Sequence, residues 1–238
     1  HEWPEIFSFE KAFLEDKKYL LFGSVQDRYF IDIGIPEDYQ KAQIDLAKPG
    51  LDLKSIDKSW TLFIDRDGII NYEKKDDYIR NWEEFHFYED ARSSFRTFVE
   101  KFGRIIVVSN QRGVGRGLMT EEELNRIHDN MKREFESAGT RIDAVYYCTA
   151  TDSSDPDRKP NPGMAFKAAK DNPEVDLRKS VMVGNKLSDM KFGRNAGTYT
   201  VFIASTHPET AFPHPDIDFR FNSLTEFAKA LPAGRQGL

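Results

Sequence analysis

The sequence predicts an α/β fold, a doubly wound parallel sheet, and three observations carry that expectation. From about residue 60 onward, short apolar runs rich in β-branched residues alternate with longer amphipathic stretches, the order of βα units. The long stretch after Thr120 opens with a helix-start signal, Thr120 followed three residues later by Glu123. The apolar runs end in carboxylates, amides, hydroxyls and glycines, and ligands of open α/β sheets bind outside the carboxyl ends of the strands.

Taken in order, the strands are expected at 61–64, 104–108, 144–148, 180–183, 199–203 and 218–221. The intervening helices are expected at 88–102, 120–138, 162–171, 187–196 and 223–231. Residues 45–59 are polar and broken by Pro49 and Gly50, which suits a linker. The chain is therefore expected to divide into an N-terminal piece at 1–48, a linker at 49–59, the sheet domain at 60–232 and a tail at 233–238 whose sequence reads as disordered. No unit of 20 to 50 residues repeats and no low-complexity tract occurs.

Composition narrows the function. The 238 residues suit one domain with a small extension, and 34 basic against 40 acidic residues give a net charge of −6. That balance argues against binding a nucleic-acid backbone, which needs a basic surface to release counterions. A single cysteine excludes a disulfide framework within the chain and fits a reducing cytoplasm. There is no apolar run of membrane-spanning length. The first residues lack the basic start and apolar centre of a signal peptide, and His1 in place of Met points to a fragment of something longer.

The strand ends carry the chemistry. The first strand runs into Asp65-Arg66-Asp67-Gly68. Two carboxylates this close can serve as nucleophile, as proton donor and acceptor, and as ligands for Mg²⁺; an acidic turn is the plainer alternative. The second strand ends at Ser109-Asn110-Gln111, before Gly113, Gly115 and Gly117. A hydroxyl, an amide and glycine-rich backbone donate to phosphoryl oxygens without adding repulsive charge, although the spacing is not that of the GxxxxGK[ST] phosphate loop. Arg158 and Lys159 precede a helix whose first turn holds Pro162. An ammonium fixed there would neutralise phosphoryl oxygens as charge shifts in the transition state. The fourth strand ends in Gly184-Asn185-Lys186-Leu187-Ser188-Asp189, again an oxygen donor and a carboxylate.

The segments FIDRDGIIN (63–71), VVSNQRGVGRG (107–117), RKPNPGM (158–164) and MVGNKLSDM (182–190) resemble the four motifs of the haloacid dehalogenase (HAD) superfamily. More narrowly they resemble its heptose 1,7-bisphosphate phosphatases, close to the histidinol phosphatases. The resemblance spans roughly residues 60–231. It implies a HAD-like Rossmannoid fold with a minimal cap, and a magnesium-dependent phosphatase that works through an aspartyl-phosphate. Asp65 would be the nucleophile, and Asp67 the acid and then the base. Ser109 and Lys159 would hold the phosphoryl group, with Asn110 and Arg158 toward substrate. Mg²⁺ would be held by Asp65, Asp67 and the fourth motif, through Asn185 and Asp189. The insert at 70–88, with Tyr72, Tyr78, Trp82 and Phe87, would be a mobile flap, and so small a cap implies a small substrate.

Two departures matter. The fourth motif of the family usually reads GDKxxD, whereas Asn185 stands where its first carboxylate would be. Losing that charge at close range removes a term of about a few kcal/mol at an effective dielectric near 20. Weaker Mg²⁺ binding is expected, with Asp189 supplying charge and an Asn185→Asp change restoring affinity. The loop before Arg158 reads CTATDSSDPD and keeps only Cys148 of the cysteines and histidine with which many of these enzymes bind zinc. Offering Ala150, Asp155 and Asp157 instead, it implies no zinc.

Residues 29–39, YFIDIGIPEDY, resemble the closing segment of sugar-1-phosphate nucleotidyltransferases, with Asp32 at the metal-binding aspartate. That family's glycine-rich opening is absent. The resemblance implies a remnant of such a domain, hence fusion to or association with a nucleotidyltransferase of the same nucleotide-heptose pathway. Trp3, Phe7, Phe9 and Phe13 would pack it onto the sheet domain or an oligomer contact. A small phosphorylated sugar is the expected partner, with no nucleic acid and no membrane. The alternatives are a phosphatase for histidinol phosphate or another small phosphomonoester, or a catalytically weak binding domain.

Overall fold

Strand β1 (Thr61–Ile64) is buried at all four positions, so both faces of the sheet at its centre must be covered. In the computed structural model, which describes residues 34, 36–39, 42, 50–75 and 77–232, they are. Strands β2 (Arg104–Asn110), β3 (Ala144–Cys148), β4 (Ser180–Gly184), β5 (Tyr199–Ile203) and β6 (Phe219–Phe221) join β1 in one sheet of order β3-β2-β1-β4-β5-β6. Every neighbouring pair is parallel.

Alternate side chains of each strand feed opposite cores. Leu62, Ile64, Ile105, Val107, Val181 and Val183 face helices α1 (Ala91–Lys101), α3 (Glu121–Ser137) and α6 (Leu224–Ala230), where Phe95, Phe98, Phe135 and Phe227 complete an aromatic core. Phe63, Ile106, Val108 and Met182 face α4 (Gly163–Asp171) and α5 (Leu187–Ala196) across a smaller core with Met164, Ala168 and Phe192. Helix α3 opens as its sequence predicts: Thr120 Oγ1 accepts from Glu123 N at 3.1 Å, and Thr120 N donates to Glu123 Oε2 at 2.7 Å. Among the described residues no helix is long and apolar enough to cross a membrane.

Three details differ from expectation. Strand β2 extends two residues further and carries Ser109 and Asn110 within it. The glycine-rich stretch contains a four-residue helix, α2 (Arg112–Gly115), whose tertiary surroundings override its poor propensity. The stretch expected as a linker sends Leu51 and Ile56 into the larger core, so its described part packs with the domain. The insert at 70–88 is likewise well anchored. Trp82 stacks on Phe85 with ring centroids 5.0 Å apart, and Phe87 meets Phe135 edge-on at 5.5 Å. Of its expected aromatics only Tyr72 is largely exposed, lying 4.1 Å from the ring of Tyr88. Nearly all of 1–48, including Asp32 and the four N-terminal aromatics, and the tail at 233–238 lie outside the described residues.

The chain runs one way from β1 to β3 and the other way from β4 to β6, so the strand order reverses between β1 and β4. The crevice at their carboxyl ends is where such folds bind ligands.

Candidate active site

Asp65 follows β1 directly, and its N–H donates to Val183 O of β4 at 2.9 Å, which fixes it at the reversal point. Its carboxylate is buried and lies 2.7 Å from Lys159 Nζ. The same ammonium lies 2.7 Å from Asp189 Oδ1 and donates to Val108 O at 3.0 Å, so its three hydrogens have three acceptors. Burial pushes the Asp65 carboxyl up, to about 7, against the pull of Lys159 and with Asp189 adding repulsion. Burial also disfavours the charged lysine, but the two carboxylates outweigh it and hold the Lys159 pKa above its ordinary value. Two carboxylates around one ammonium leave an unbalanced negative charge that a cation would offset.

The lysine is placed from both sides. Asn110 accepts from Lys159 N at 3.0 Å and donates to Lys159 O at 3.1 Å, so the amide expected to face substrate is committed to the backbone of the lysine. Asp189, in the first turn of α5, also accepts from Lys186 N through Oδ2 at 3.0 Å. It approaches the end of β4 so closely that a Cβ on Gly184 would lie 2.4 Å from its own Cβ. Asp189 was expected on the metal, yet both its oxygens are engaged, one by an ammonium and one by a backbone N–H.

Asp67 sits in a cage of donors. Arg66 Nη2 reaches both its oxygens at 3.0 Å, Asn71 donates to Oδ1 at 2.9 Å, and Gln111 donates to Oδ2 at 2.9 Å. Burial alone would raise this carboxyl, but the Arg66 charge and the hydrogen bonds from Asn71 and Gln111 win and hold it below its ordinary value. Gln111 also donates to Ser109 Oγ at 2.8 Å, joining the expected phosphate ligand to the expected acid. Arg66 is itself fully buried, and its Nη1 lies 3.0 Å from His128 Nε2 on α3. An arginine only donates, so Nε2 accepts and the imidazole is neutral with its hydrogen on Nδ1. Burial and the Arg66 charge depress this histidine to about 3.

Across the crevice, Asn185 closes β4 and is completely buried. Its Nδ2 donates to Thr206 Oγ1 at 2.6 Å and lies 3.5 Å from Glu73 Oε1, while its Oδ1 is buried without a hydrogen-bond partner. Gly68, at φ 85°, makes room for it: a Cβ there would lie 2.1 Å from Asn185 Nδ2. A buried acceptor without a donor is costly unless something else satisfies it, and an amide oxygen is a competent ligand for a hard divalent cation. The residues therefore fit magnesium through a mixed set of oxygens. No three His, Cys, Asp or Glu side chains cluster as metal ligands among the described residues.

The remaining expectations fall nearby. Arg158 donates to Ala150 O at 3.1 Å and so braces the loop before it. In that loop Cys148 is buried at the end of β3 with Sγ 3.6 Å from Asp155 Oδ1, and burial pushes its thiol up, the opposite of a reactive cysteine. Asp157 pairs with Lys167. Sequence reasoning assigned no role to Arg66, Asn71, Glu73, Gln111, His128 or Thr206. A cation between two carboxylates and a histidine on the apolar face of α3 were visible signals for Arg66 and His128. Nothing in the sequence links Glu73 or Thr206 to Asn185.

The reversal-point crevice, with its paired carboxylates and buried lysine, defines a hydrolase of the HAD type, a phosphoric monoester hydrolase. A family model described as HAD-hydrolase-like matches residues 157–226. The chain is 34% identical over 177 residues to D-glycero-alpha-D-manno-heptose-1,7-bisphosphate 7-phosphatase of Mycobacterium bovis, covering 74% of this chain and 93% of that protein. It is 34% identical over 169 residues to the enzyme of the same name from Campylobacter jejuni, covering 71% and 94%. The crystal structure of D,D-heptose 1,7-bisphosphate phosphatase from B. bronchiseptica, complexed with magnesium and phosphate, superposes with a TM-score of 0.64. It is 26% identical, over 72% of this chain and 97% of that one. The chain belongs to the heptose-1,7-bisphosphate phosphatase family of HAD hydrolases.

Proposed function

We propose that this protein removes the 7-phosphate of D-glycero-D-manno-heptose 1,7-bisphosphate in a magnesium-dependent reaction through an aspartyl-phosphate. The observation that carries the reading is the buried Asp65 carboxylate held against Lys159, with a second carboxylate, Asp67, two residues on in a cage of donors. The names of its relatives supply the sugar.

Asp65, ionised, attacks phosphorus, and the bond to the sugar oxygen breaks as Asp67, ionised at rest, takes the proton of the phosphomonoester monoanion and passes it to the leaving alkoxide. Asp67 then takes a proton from the water that attacks the aspartyl-phosphate, which frees inorganic phosphate and restores Asp65. Ser109 and Lys159 hold the phosphoryl oxygens, and Asn110 and Arg158 position Lys159 and its loop. Asp65, the Asp67 carbonyl and Asn185 Oδ1 would hold the magnesium ion, which supplies positive charge to the transferring group when bound. Asp189 acts through Lys159.

The test is phosphate release with Mg²⁺ from both anomers of heptose 1,7-bisphosphate, from histidinol phosphate and from fructose 1,6-bisphosphate. Preference for a heptose substrate, lost with EDTA and lost in Asp65→Asn, is the expected result. Turnover of histidinol phosphate alone would overturn the substrate, and an active Asp65→Asn would overturn the nucleophile. Residues 1–48 we read as derived from a sugar-1-phosphate nucleotidyltransferase, on the resemblance of residues 29–39. A gene with no such coding sequence upstream in frame or beside it would overturn the link.

A further inference from the structure

We propose that Glu73, on the insert over the site, is a positioning residue that sets the affinity of the site for its divalent cation by acting through Asn185. The inference rests on the magnesium reading above. Glu73 Oε1 lies 3.5 Å from Asn185 Nδ2, and Thr206 Oγ1 lies 2.6 Å from the same nitrogen. A carboxylate can only accept, so it keeps the nitrogen end of the amide toward itself. The oxygen end is thereby the one left over, and it is the buried Oδ1 without a partner. Glu73 thus decides which atom of Asn185 is offered as a ligand.

It does so with charge as well as geometry. Its other oxygen, Oε2, lies 2.5 Å from Lys186 Nζ, whose positive charge also bears on Asp65 and Asp189. Glu73 therefore offsets an ammonium that would otherwise repel an incoming cation, and polarises the amide so that more negative charge rests on Oδ1. Carboxylates placed behind metal ligands orient them and raise their basicity in this way. A neutral ligand backed by a carboxylate stands in for an anionic ligand. A carboxylate at position 185 would instead face Glu73 at close range and be repelled by it. The gain expected from Asn185→Asp is therefore conditional on Glu73.

The experiment measures Mg²⁺ affinity of the full chain by titration calorimetry with MgCl₂, checked by Mn²⁺ binding in electron paramagnetic resonance. It compares wild type, Glu73→Gln, Glu73→Gln/Lys186→Gln, Asn185→Asp and Glu73→Gln/Asn185→Asp. We expect Glu73→Gln to weaken Mg²⁺ about 10-fold or more and to stay weak when Lys186 is also neutralised. Asn185→Asp should gain little alone and clearly more in the Glu73→Gln background. An unchanged affinity in Glu73→Gln, full recovery on adding Lys186→Gln, or additive effects at positions 73 and 185 would overturn the inference. A wild-type chain that binds no Mg²⁺ would instead overturn the magnesium reading beneath it. Thermal unfolding of each variant separates lost binding from lost folding.

Discussion

Asp67 and Asn185, on the two banks of the crevice, are hydrogen-bonded in opposite ways. On the β1 side, both oxygens of Asp67 receive donors from Arg66, and Asn71 and Gln111 add one each. On the β4 side, Asn185 is fully buried, more deeply than the partly exposed Asp67, and keeps an oxygen with no donor. A carboxylate so fully bonded is held in one orientation, which suits the proton transfer proposed for it. An oxygen left unpaired is destabilising in isolation and gains its compensation from outside the chain. In the proposed mechanism the saturated Asp67 passes the proton and the unsatisfied Asn185 binds the cation, although the β1 bank keeps unpaired atoms of its own at Asn71 Oδ1 and His128 Nδ1.

Lys159 spans the two banks, and removing its charge should produce the largest effect. Lys159→Met leaves Asp65 and Asp189 buried against each other with no cation between them. Breaking a buried ion pair of this kind costs about 3–5 kcal/mol. Urea unfolding should show a loss of that order, partly recovered at low pH, where the carboxylates become protonated. Stability unchanged at pH 7 would mean that the carboxylates do not depend on the lysine.

His128 probes the β1 bank from behind, because its Nε2 accepts from Arg66, which holds Asp67, while its Nδ1 is buried without a partner. Its pKa is depressed from 6.5 to about 3 in the fold. Below pH 6.5 the unfolded chain takes up a proton that the folded chain refuses until about pH 3, so stability is full above 6.5 and falls as the pH drops. The slope is about 1.4 kcal/mol per pH unit for one such group. His128→Gln keeps an acceptor for Arg66 and should flatten that stretch of the profile. His128→Leu removes the acceptor and should cost about 1–3 kcal/mol at pH 7 as well. A profile between pH 6 and 4 identical in wild type and His128→Gln would contradict the neutral buried imidazole.

Gly68 lies between the banks and should give the smallest change in stability. Gly68→Ala puts a Cβ into the space of Asn185 Nδ2 at a backbone φ of 85°. The strained backbone costs about 1–2 kcal/mol, and displacement of Asn185 should weaken Mg²⁺ more than it slows any step that depends on Asp67. Equal loss of metal binding and of turnover at saturating Mg²⁺ would show that the two banks move as one.

The fold was legible because its signals are local. Strands β1, β3 and β5 begin and end where their apolar runs do, and α5 spans the residues expected of it. The carboxylates after β1 and the lysine ahead of α4 stand out in the sequence by residue type, and the structure brings Asp65 and Lys159 together. What escaped was relational. Asn110 reads as a substrate contact until the backbone of Lys159 is seen between its two ends, 49 residues away. The pairing of Glu73 with Asn185 joins residues 112 positions apart, and no periodicity encodes it. The short helix α2 was hidden by its glycines, which read as loop.

The three hydrogens of the Lys159 ammonium are already spoken for, by Asp65, Asp189 and the carbonyl of Val108. A phosphoryl oxygen reaching this lysine therefore gains its contact by exchange, displacing one acceptor, and not by occupying a vacant donor. In the proposed mechanism Asp65 itself comes to carry the phosphoryl group, and the exchange is then natural, since the charge it surrendered has moved outward onto the group. On that mechanism, once the acyl phosphate is hydrolysed the restored Asp65 would compete for the same hydrogen and so favour release of the orthophosphate. Turnover would thus be built into the resting state: the group proposed to grip the intermediate has a standing reason to let the product go.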